Sequence, residues 1–427
     1  MNISSALDRL YSLQKFGVKL GLDNIYRLLE MLGNPQQHLK FLHVAGSNGK
    51  GSTSSFMASI LMEHGFRTGL YTSPHFIRFN ERIRINGQEI PDDYISGFME
   101  TIEDLPADLM PTFFEVTTAL AFKYFFDNNV DYAVIETGLG GRLDATNTVM
   151  PLSATITSIS LEHTELLGNS YREIALEKAG IIKDNINVIT GIMPEEAEEA
   201  ISAVAKDKNC RHYMLKNFVM RNTEKNNDEG IDFFSDNFII RDIHTGLTGE
   251  FQKYNASMAI LTLLKTLGLT DTDKIQKGLL NVKTNSGIQG RYELYNSAPD
   301  IIFDSAHNPE GIGVFLSAFK RNMSSYSRKS VLFGVMKDKK IDEMLSLIAS
   351  NFDDIYITTI DYQRAAETDE IMKVAAKLKL MNISIVKDHA AFIDDFRKRE
   401  KDECLVVLGS MYVLGKIKEE LAGTGKK

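Results

Sequence analysis

The stretch "FLHVAGSNGKGSTSSFMASILMEHG", residues 41–65, decides how the chain is read. It opens on a short apolar run ending in Gly46, and Phe56, Ile60 and Leu61 then fall at helical spacing before Gly65. "TGLYTSP" (68–74) resumes as a strand, so the order is strand, glycine-rich turn, helix, strand. In such a βαβ unit the turn lies at a helix N-terminus, where unpaired N–H groups and the helix dipole favour an anion. The loop departs from a Walker A sequence, which has a glycine six residues before its lysine and a hydroxyl residue directly after it. Val44 stands where that glycine should be, and Gly51 takes the hydroxyl position, with Ser52 one step late. Glycines on both sides of Lys50 still let the backbone approach phosphate oxygens, with Ser52 or Thr53 as the hydroxyl ligand of a metal. A glycine-rich turn with no ligand is the alternative reading.

The 427 residues favour two or three domains, and 43% hydrophobic with 25% charged residues is the composition of an ordinary globular protein. A net charge of -9 gives no reason to expect nucleic acid or an anionic membrane as partner. Cys210 and Cys404 are too few and too far apart for a disulfide framework or a zinc site of the usual spacing. The N-terminus lacks an apolar signal core, and no run of about 18 apolar residues occurs. The expectation is a cytoplasmic protein.

Beyond the first unit the pattern predicts a helix over 113–129, strands at 131–137, 153–160 and 187–192, and a helix capped by Ser170 and Glu173 and stopped by Gly180. Residues 209–250 read as irregular and polar, with an alternating "IDFFSDNFIIRD"; helices near 252–267 and 273–283 follow. From Asp300 strands near 300–305, 330–335, 354–360, 383–387 and 404–410 alternate with helices, which argues for a mostly parallel sheet covered on both faces. The Gly-, Ser- and Asn-rich stretch 283–299 marks the junction, and "GTGKK" (423–427) a loose tail. Two α/β domains with a ligand cleft between them result.

Several residues at strand ends have side chains suited to chemistry. Glu136 closes a buried strand before "TGLGGRLDATN" (137–147), the position of a magnesium-binding carboxylate facing phosphates. His163, in "SLEHTELLG" (160–168), follows the next strand; as a lone histidine it reads equally well as a structural residue. Lys178 lies in a last helical turn, where a lysine is usually a solvated partner of the helix dipole. In "FDSAHNPEG" (303–311) Asn308 and Pro309 suit an N-cap and first helical position, which leaves Asp304 and His307 unexplained by capping. A P-loop kinase, a dinucleotide dehydrogenase and an ATP-dependent ligase all use such parts; no G-x-G-x-x-G follows a strand in the second half, which weakens the second.

Ten segments in order resemble the folylpolyglutamate synthase/dihydrofolate synthase family of Mur-type amide ligases: "HVAGSNGKGST" (43–53), "TSPHFIRFNERI" (72–83), "TFFEVTTALAF" (112–122), "ETGLGGRLDATN" (136–147), "EHTELLG" (162–168), "EKAGIIK" (177–183), "FQKYNA" (251–256), "GRYE" (290–293), "FDSAHNPEG" (303–311) and "LGSMYVLG" (408–415). The resemblance implies an α/β fold. Residues 1–289 would form a Mur ligase-like P-loop ATPase domain with a central, mostly parallel sheet, 290–298 a linker, and 299–427 a smaller Rossmann-like C-terminal domain.

The same resemblance implies an ATP-dependent ligase that adds L-glutamate to dihydropteroate, to reduced folates, or to both. It assigns ATP to Asn48, Gly49, Lys50, Gly51, Ser52, Thr53, Asn255, Arg291, Asp304 and His307, and two Mg²⁺ sites to Ser52, Glu136 and His163. Lys50, Lys178 and His307 are its candidate catalytic residues, Lys178 as a carbamylated lysine. Ser73, Pro74, His75, Arg82 and Asp144 border the acceptor. A monovalent cation is left open, as are a different acid acceptor and, outside the family, a kinase; a monomer with no nucleic-acid or membrane partner is expected. Three residues depart from the family pattern: Ser47 stands for a threonine, Glu162 for an aspartate, and Ser305 for a glycine.

Overall fold

The structure, a computed structural model, describes residues 1–16, 21–103, 105–106, 108–222, 230–235 and 238–424. It divides into two compact units. The first comprises Met1–Pro74, Asn80–Gly246 and Gln252–Ile288; the second comprises His75–Phe79, Leu247–Phe251 and Gln289–Lys427.

An eight-stranded sheet organises the first unit. In chain order its strands are β1 (Phe41–Ala45), β2 (Thr68–Tyr71), β3 (Ile83–Ile85), β4 (Gln88–Glu89), β5 (Tyr132–Glu136), β6 (Pro151–Ile156), β7 (Asn187–Thr190) and β8 (Arg211–Met214). They lie in the order β4-β3-β2-β5-β1-β6-β7-β8, parallel except where β3 and β4 join the edge. Every residue of β1 is buried, as a strand covered on both faces requires, which is why it reads as an unbroken apolar run. The helix Lys50–Glu63 is buried along its length from Ser52 to Leu61 and so shows little amphipathic signal. Its far side packs on the helix Thr272–Leu280, where a Cβ at Gly278 would come within 2.6 Å of Ile60 Cα.

Local signals set several boundaries. Thr112 and Glu115 cap Phe113–Asp127 reciprocally, and Ser170 and Glu173 do the same for Tyr171–Ala179; each cap contributes about 1 kcal/mol. The strand expected over 153–160 ends at Ile156, because the backbone after it turns to bind the glycine-rich loop: Ser47 N–H donates to Ser158 O at 2.9 Å. Part of the stretch read as irregular forms a second, antiparallel sheet of β9 (Val219–Asn222), β10 (Gly230–Ser235) and β11 (Phe238–Ile240). Residues 236–237 of the alternating segment lie outside the described residues.

The second unit holds six strands: β12 (Glu293–Asn296), β13 (Asp300–Phe303), β14 (Arg328–Phe333), β15 (Asp354–Ile357), β16 (Ile383–Ile385) and β17 (Glu403–Leu408), ordered β12-β13-β17-β14-β15-β16. Only β12 runs antiparallel. Alternation along β17 sends Cys404, Val406 and Leu408 to one apolar layer and Leu405 and Val407 to the other, the period of two that a doubly covered strand needs. Helices Pro309–Phe319, Ile341–Ala349 and Thr368–Lys377 cover the first face, and His389–Phe396 and Met411–Thr424 the second. Residues 290–298, read as a linker, include β12, which pairs with β13 and belongs to this sheet. The final helix reaches Thr424, and residues 425–427 of the expected tail lie outside the described residues. Among the described residues no helix is long and apolar enough to cross a membrane.

Candidate active site

β1 delivers the glycine-rich loop to the C-terminal edge of the sheet. Gly46 has φ +148°, and a Cβ there would lie 1.9 Å from Thr157 Oγ1, so only glycine fits. Thr157 in turn donates its hydroxyl to Asn48 O at 2.6 Å, while Asn48 N–H donates to Ser158 Oγ at 2.9 Å. Gly49, at φ +86°, is the N-cap of Lys50–Glu63, and the Asn255 side chain closes on it: a Cβ at 49 would meet Asn255 Oδ1 at 2.6 Å. The loop is therefore fixed from two sides, with the first N–H groups of a buried helix beyond the reach of any helical carbonyl. Lys50 folds back so that Nζ donates to Gly46 O (2.8 Å) and Ser47 O (3.2 Å).

Lys178 reaches the same carbonyl. The expectation of a solvated lysine is wrong: its side chain is 2% exposed, with Nζ 3.0 Å from Gly46 O and 3.3 Å from Glu162 Oε1. Its helix end is drawn in by the loop after β5. Gly141 packs against the carbonyls of Glu177 and Lys178, Gly180 against Arg142 Cα, and Arg142 N–H donates to Glu177 O at 2.8 Å. Burial lowers the Lys178 ammonium to about 8, which Glu162 opposes only in part and Lys50 reinforces. Burial alone would raise the Glu162 carboxyl, but Lys178, Lys50, His163 and the Ser47 hydroxyl outweigh it and hold it at about 2. Two of the three departures from the family pattern, Ser47 and Glu162, thus lie in one polar cluster, where the Ser47 hydroxyl contributes to the lowering of the Glu162 carboxyl and itself accepts from Ser160 N–H at 3.0 Å.

Glu136 stands opposite Val44 in the β1–β5 register, two positions before Gly46, and is 5% exposed. Its Oε2 accepts from Ser73 N–H at 3.1 Å, so the structure joins an expected metal carboxylate to the expected acceptor loop. Arg82 is buried with its guanidinium 5.2 Å from the Phe113 ring centroid. Asp144, expected to touch substrate, gives its carboxylate to its own loop: Leu139 N–H at 2.8 Å, Thr146 N–H at 3.0 Å and the Thr146 hydroxyl at 2.5 Å. Because that hydroxyl donates to Asp144, it accepts from His43 Nε2–H at 2.8 Å. Burial, with Lys183 nearby, holds His43 at about 3, so the ring is neutral. His163, at φ +47°, is the N-cap of the short helix Thr164–Leu167.

The second unit gathers its own candidates. Asp304 follows β13, is buried, and accepts from Tyr292 N–H (2.7 Å) and Ala306 N–H (2.9 Å); burial raises its carboxyl above the usual range. Ser305 N–H donates to Gly290 O at 3.0 Å, which sets Arg291 beside the Asp304–His307 turn. His307 Nδ1–H donates to Ser305 O at 3.0 Å. Asn308 caps Pro309–Phe319 through Gly311 N–H at 2.7 Å, with Pro309 in the first turn. His75 packs edge-on to Phe79, ring centroids 6.2 Å apart.

Whether these residues suit magnesium is a matter of donor chemistry. Among the described residues no three His, Cys, Asp or Glu side chains gather into a metal cage. Glu136 and the buried Ser52 instead offer one carboxylate and one hydroxyl at the loop, hard oxygen donors of the kind Mg²⁺ takes together with phosphate and water. Thr53 and Thr137, the neighbours of Ser52 and Glu136, carry buried hydroxyls with no protein partner, so the site is polar beyond what the fold needs. The donor set fits.

A glycine-rich anion loop on a parallel sheet, followed by a smaller α/β unit with its own buried Asp beside a half-buried Arg and His, defines a nucleotide-dependent enzyme of two α/β units. Residues 44–263 match the family model of the Mur ligase middle domain and 290–411 that of the Mur ligase, glutamate ligase domain. The chain is 34% identical over 420 residues to the dihydrofolate synthase/folylpolyglutamate synthase of Bacillus subtilis, covering 95% of this chain and 96% of that protein. It is 31% identical over 441 residues to the folylpolyglutamate synthase of Lacticaseibacillus casei, covering 99% of each. Among solved structures, E. coli FolC in complex with DHPP and ADP superposes with a TM-score of 0.86 at 29% identity, covering 100% of this chain and 99% of that one. The chain belongs to the folylpolyglutamate synthase/dihydrofolate synthase family of ATP-dependent glutamate ligases.

Proposed function

We propose that the chain joins L-glutamate to the carboxylate of dihydropteroate and to the γ-carboxylate of reduced folates, converting ATP to ADP and phosphate. The observation that carries this reading is the loop Gly46–Ser52 with Glu136 in register beside it, in a chain that aligns end to end with glutamate ligases. A carboxylate cannot expel oxide, so one of its oxygens first attacks the γ-phosphorus and ADP leaves. The glutamate amine, as the free base, then attacks the acyl carbon; phosphate departs and the amine's proton passes to solvent.

Phosphoryl transfer of this kind is helped mainly by positioning and by fixed positive charge. Lys50 exchanges its contacts to Gly46 O and Ser47 O for phosphate oxygens, while the N–H groups of Gly49 to Ser52 cradle them. Asn255 stands against Gly49 and meets the nucleotide there. Arg291, Asp304 and His307 contribute nucleotide contacts from the second unit. Ser52, Glu136 and His163 would hold two Mg²⁺ ions, which supply charge neutralisation on the phosphates. Lys178, held at about 8, keeps a fraction of neutral amine near neutral pH, the form that adds CO₂ to become a carbamate.

Phosphate release tests the reading. A ligase frees phosphate only when acid acceptor and glutamate are both present; a phosphoryl group left stably on the acceptor would assign the chain to a kinase-type reaction instead.

A further inference from the structure

The segment His75–Phe79 belongs to the second compact unit although it comes from the first eighty residues of the sequence. Phe76 explains this. Its ring packs on the apolar layer of Phe303, Leu414 and Ile417, with its tip towards Gly290: a Cβ there would lie 2.5 Å from Phe76 Cζ. Its backbone is seated as closely, since a Cβ at Gly415 would lie 2.0 Å from Phe76 O. Lys418, 8% exposed, stands 5.5 Å from the ring centroid and is held there by both Glu293 oxygens, at 2.8 and 2.7 Å. The socket is thus two glycines and a fixed cation, and it shares Gly290 with the turn that places Arg291 beside Asp304.

His75, the residue before Phe76, packs edge-on to Phe79 within the same segment. We infer that Phe76 is a positioning residue for the acid acceptor: seated in the Gly290–Gly415–Lys418 socket, it holds the neighbouring His75, which borders the acceptor. The inference rests on the proposed assignment of His75 to the acceptor. A cut to alanine frees His75 from that anchor. A tyrosine is no remedy, because its hydroxyl would be driven into Gly290, whereas a ring that only packed on an open surface would tolerate it.

The test is steady-state phosphate release by the full chain at saturating glutamate, with the acceptor, dihydropteroate or tetrahydrofolate, and ATP varied separately. Phe76→Ala and Phe76→Tyr are expected to raise the acceptor KM about ten- to a hundred-fold, the scale of a misplaced binding group. The KM for ATP and kcat should stay within about two-fold, and Phe76→Leu should fall between, since it keeps an apolar group short of Gly290. Lys418→Met, which leaves Phe76 in place but removes the cation, should raise the acceptor KM by about two- to five-fold and carries the test should Phe76→Ala not fold. An unchanged acceptor KM in Phe76→Tyr, or equal losses in acceptor KM, ATP KM and kcat, would overturn the inference. Failure of the wild-type protein to turn over any acceptor would instead remove the assignment on which it rests.

Discussion

Glu162→Gln keeps the size of the side chain and removes the charge facing Lys178. In the native protein the Glu162 carboxyl is drawn from its ordinary 4.5 to about 2. At ~1.4 kcal/mol per unit that is roughly 3 kcal/mol of stability, inside the ~3–5 kcal/mol range for removing one partner of a buried ion pair. The sign follows from proton counting. Glu162, lowered in the folded state, stabilises above 4.5 and loses that contribution as pH falls towards 2. Lys178, lowered from 10.5 to about 8, has the same sign in a higher window: between those values the unfolded chain binds more protons, so stability again rises with pH. Without the Glu162 charge the Lys178 ammonium falls further, and its rise begins at lower pH. The deficit of Glu162→Gln is therefore about 3 kcal/mol near pH 7, and it shrinks towards about pH 10, where Lys178 is neutral in both proteins, and towards about pH 3. Urea unfolding followed by circular dichroism, in bicarbonate-free buffer at those three pH values, measures it. A deficit below about 0.5 kcal/mol at pH 7, the size of an ordinary surface change, or one independent of pH, would refute the reasoning.

Gly46→Ala forces a Cβ to 1.9 Å from Thr157 Oγ1 and should cost about 1–3 kcal/mol together with nucleotide affinity, read by unfolding and by ADP titration. Lys50→Ala leaves the fold intact, because the ammonium touches only carbonyls of its own loop, yet should lower kcat by about 10²–10³-fold, read by phosphate release. Lys178→Ala should abolish turnover and regain part of it with added acetate; full activity in that variant would contradict the carbamate role.

The sequence made the loop legible because glycine, lysine and hydroxyl residues at a strand-to-helix turn have few other uses, and the central strands of both sheets followed from their apolar runs, whereas the short edge strands β3, β4 and β8 carry too few apolar residues to stand out. It misjudged Lys178, since a lysine in a last helical turn looks solvated until Gly141 and Gly180 are seen to draw that helix end against the β5 loop. Residues 290–298 looked like a linker because β12 is a short edge strand whose Gly, Ser and Asn neighbours mimic a loop. Asp144 was legible as important and not as a loop organiser, because its partners are backbone N–H groups that leave no mark in the sequence. The effect of Ser47 on Glu162, more than a hundred residues away in the sequence, had only their shared departure from the family pattern as a signal.

The central claim is glutamate addition powered by ATP through an acyl phosphate. Mass spectrometry of products formed with ATP, Mg²⁺ and glutamate, from dihydropteroate in one reaction and tetrahydrofolate in the other, tests it most directly. One added glutamate on the first and several on the second are expected. No glutamate-dependent product from either acceptor would contradict it.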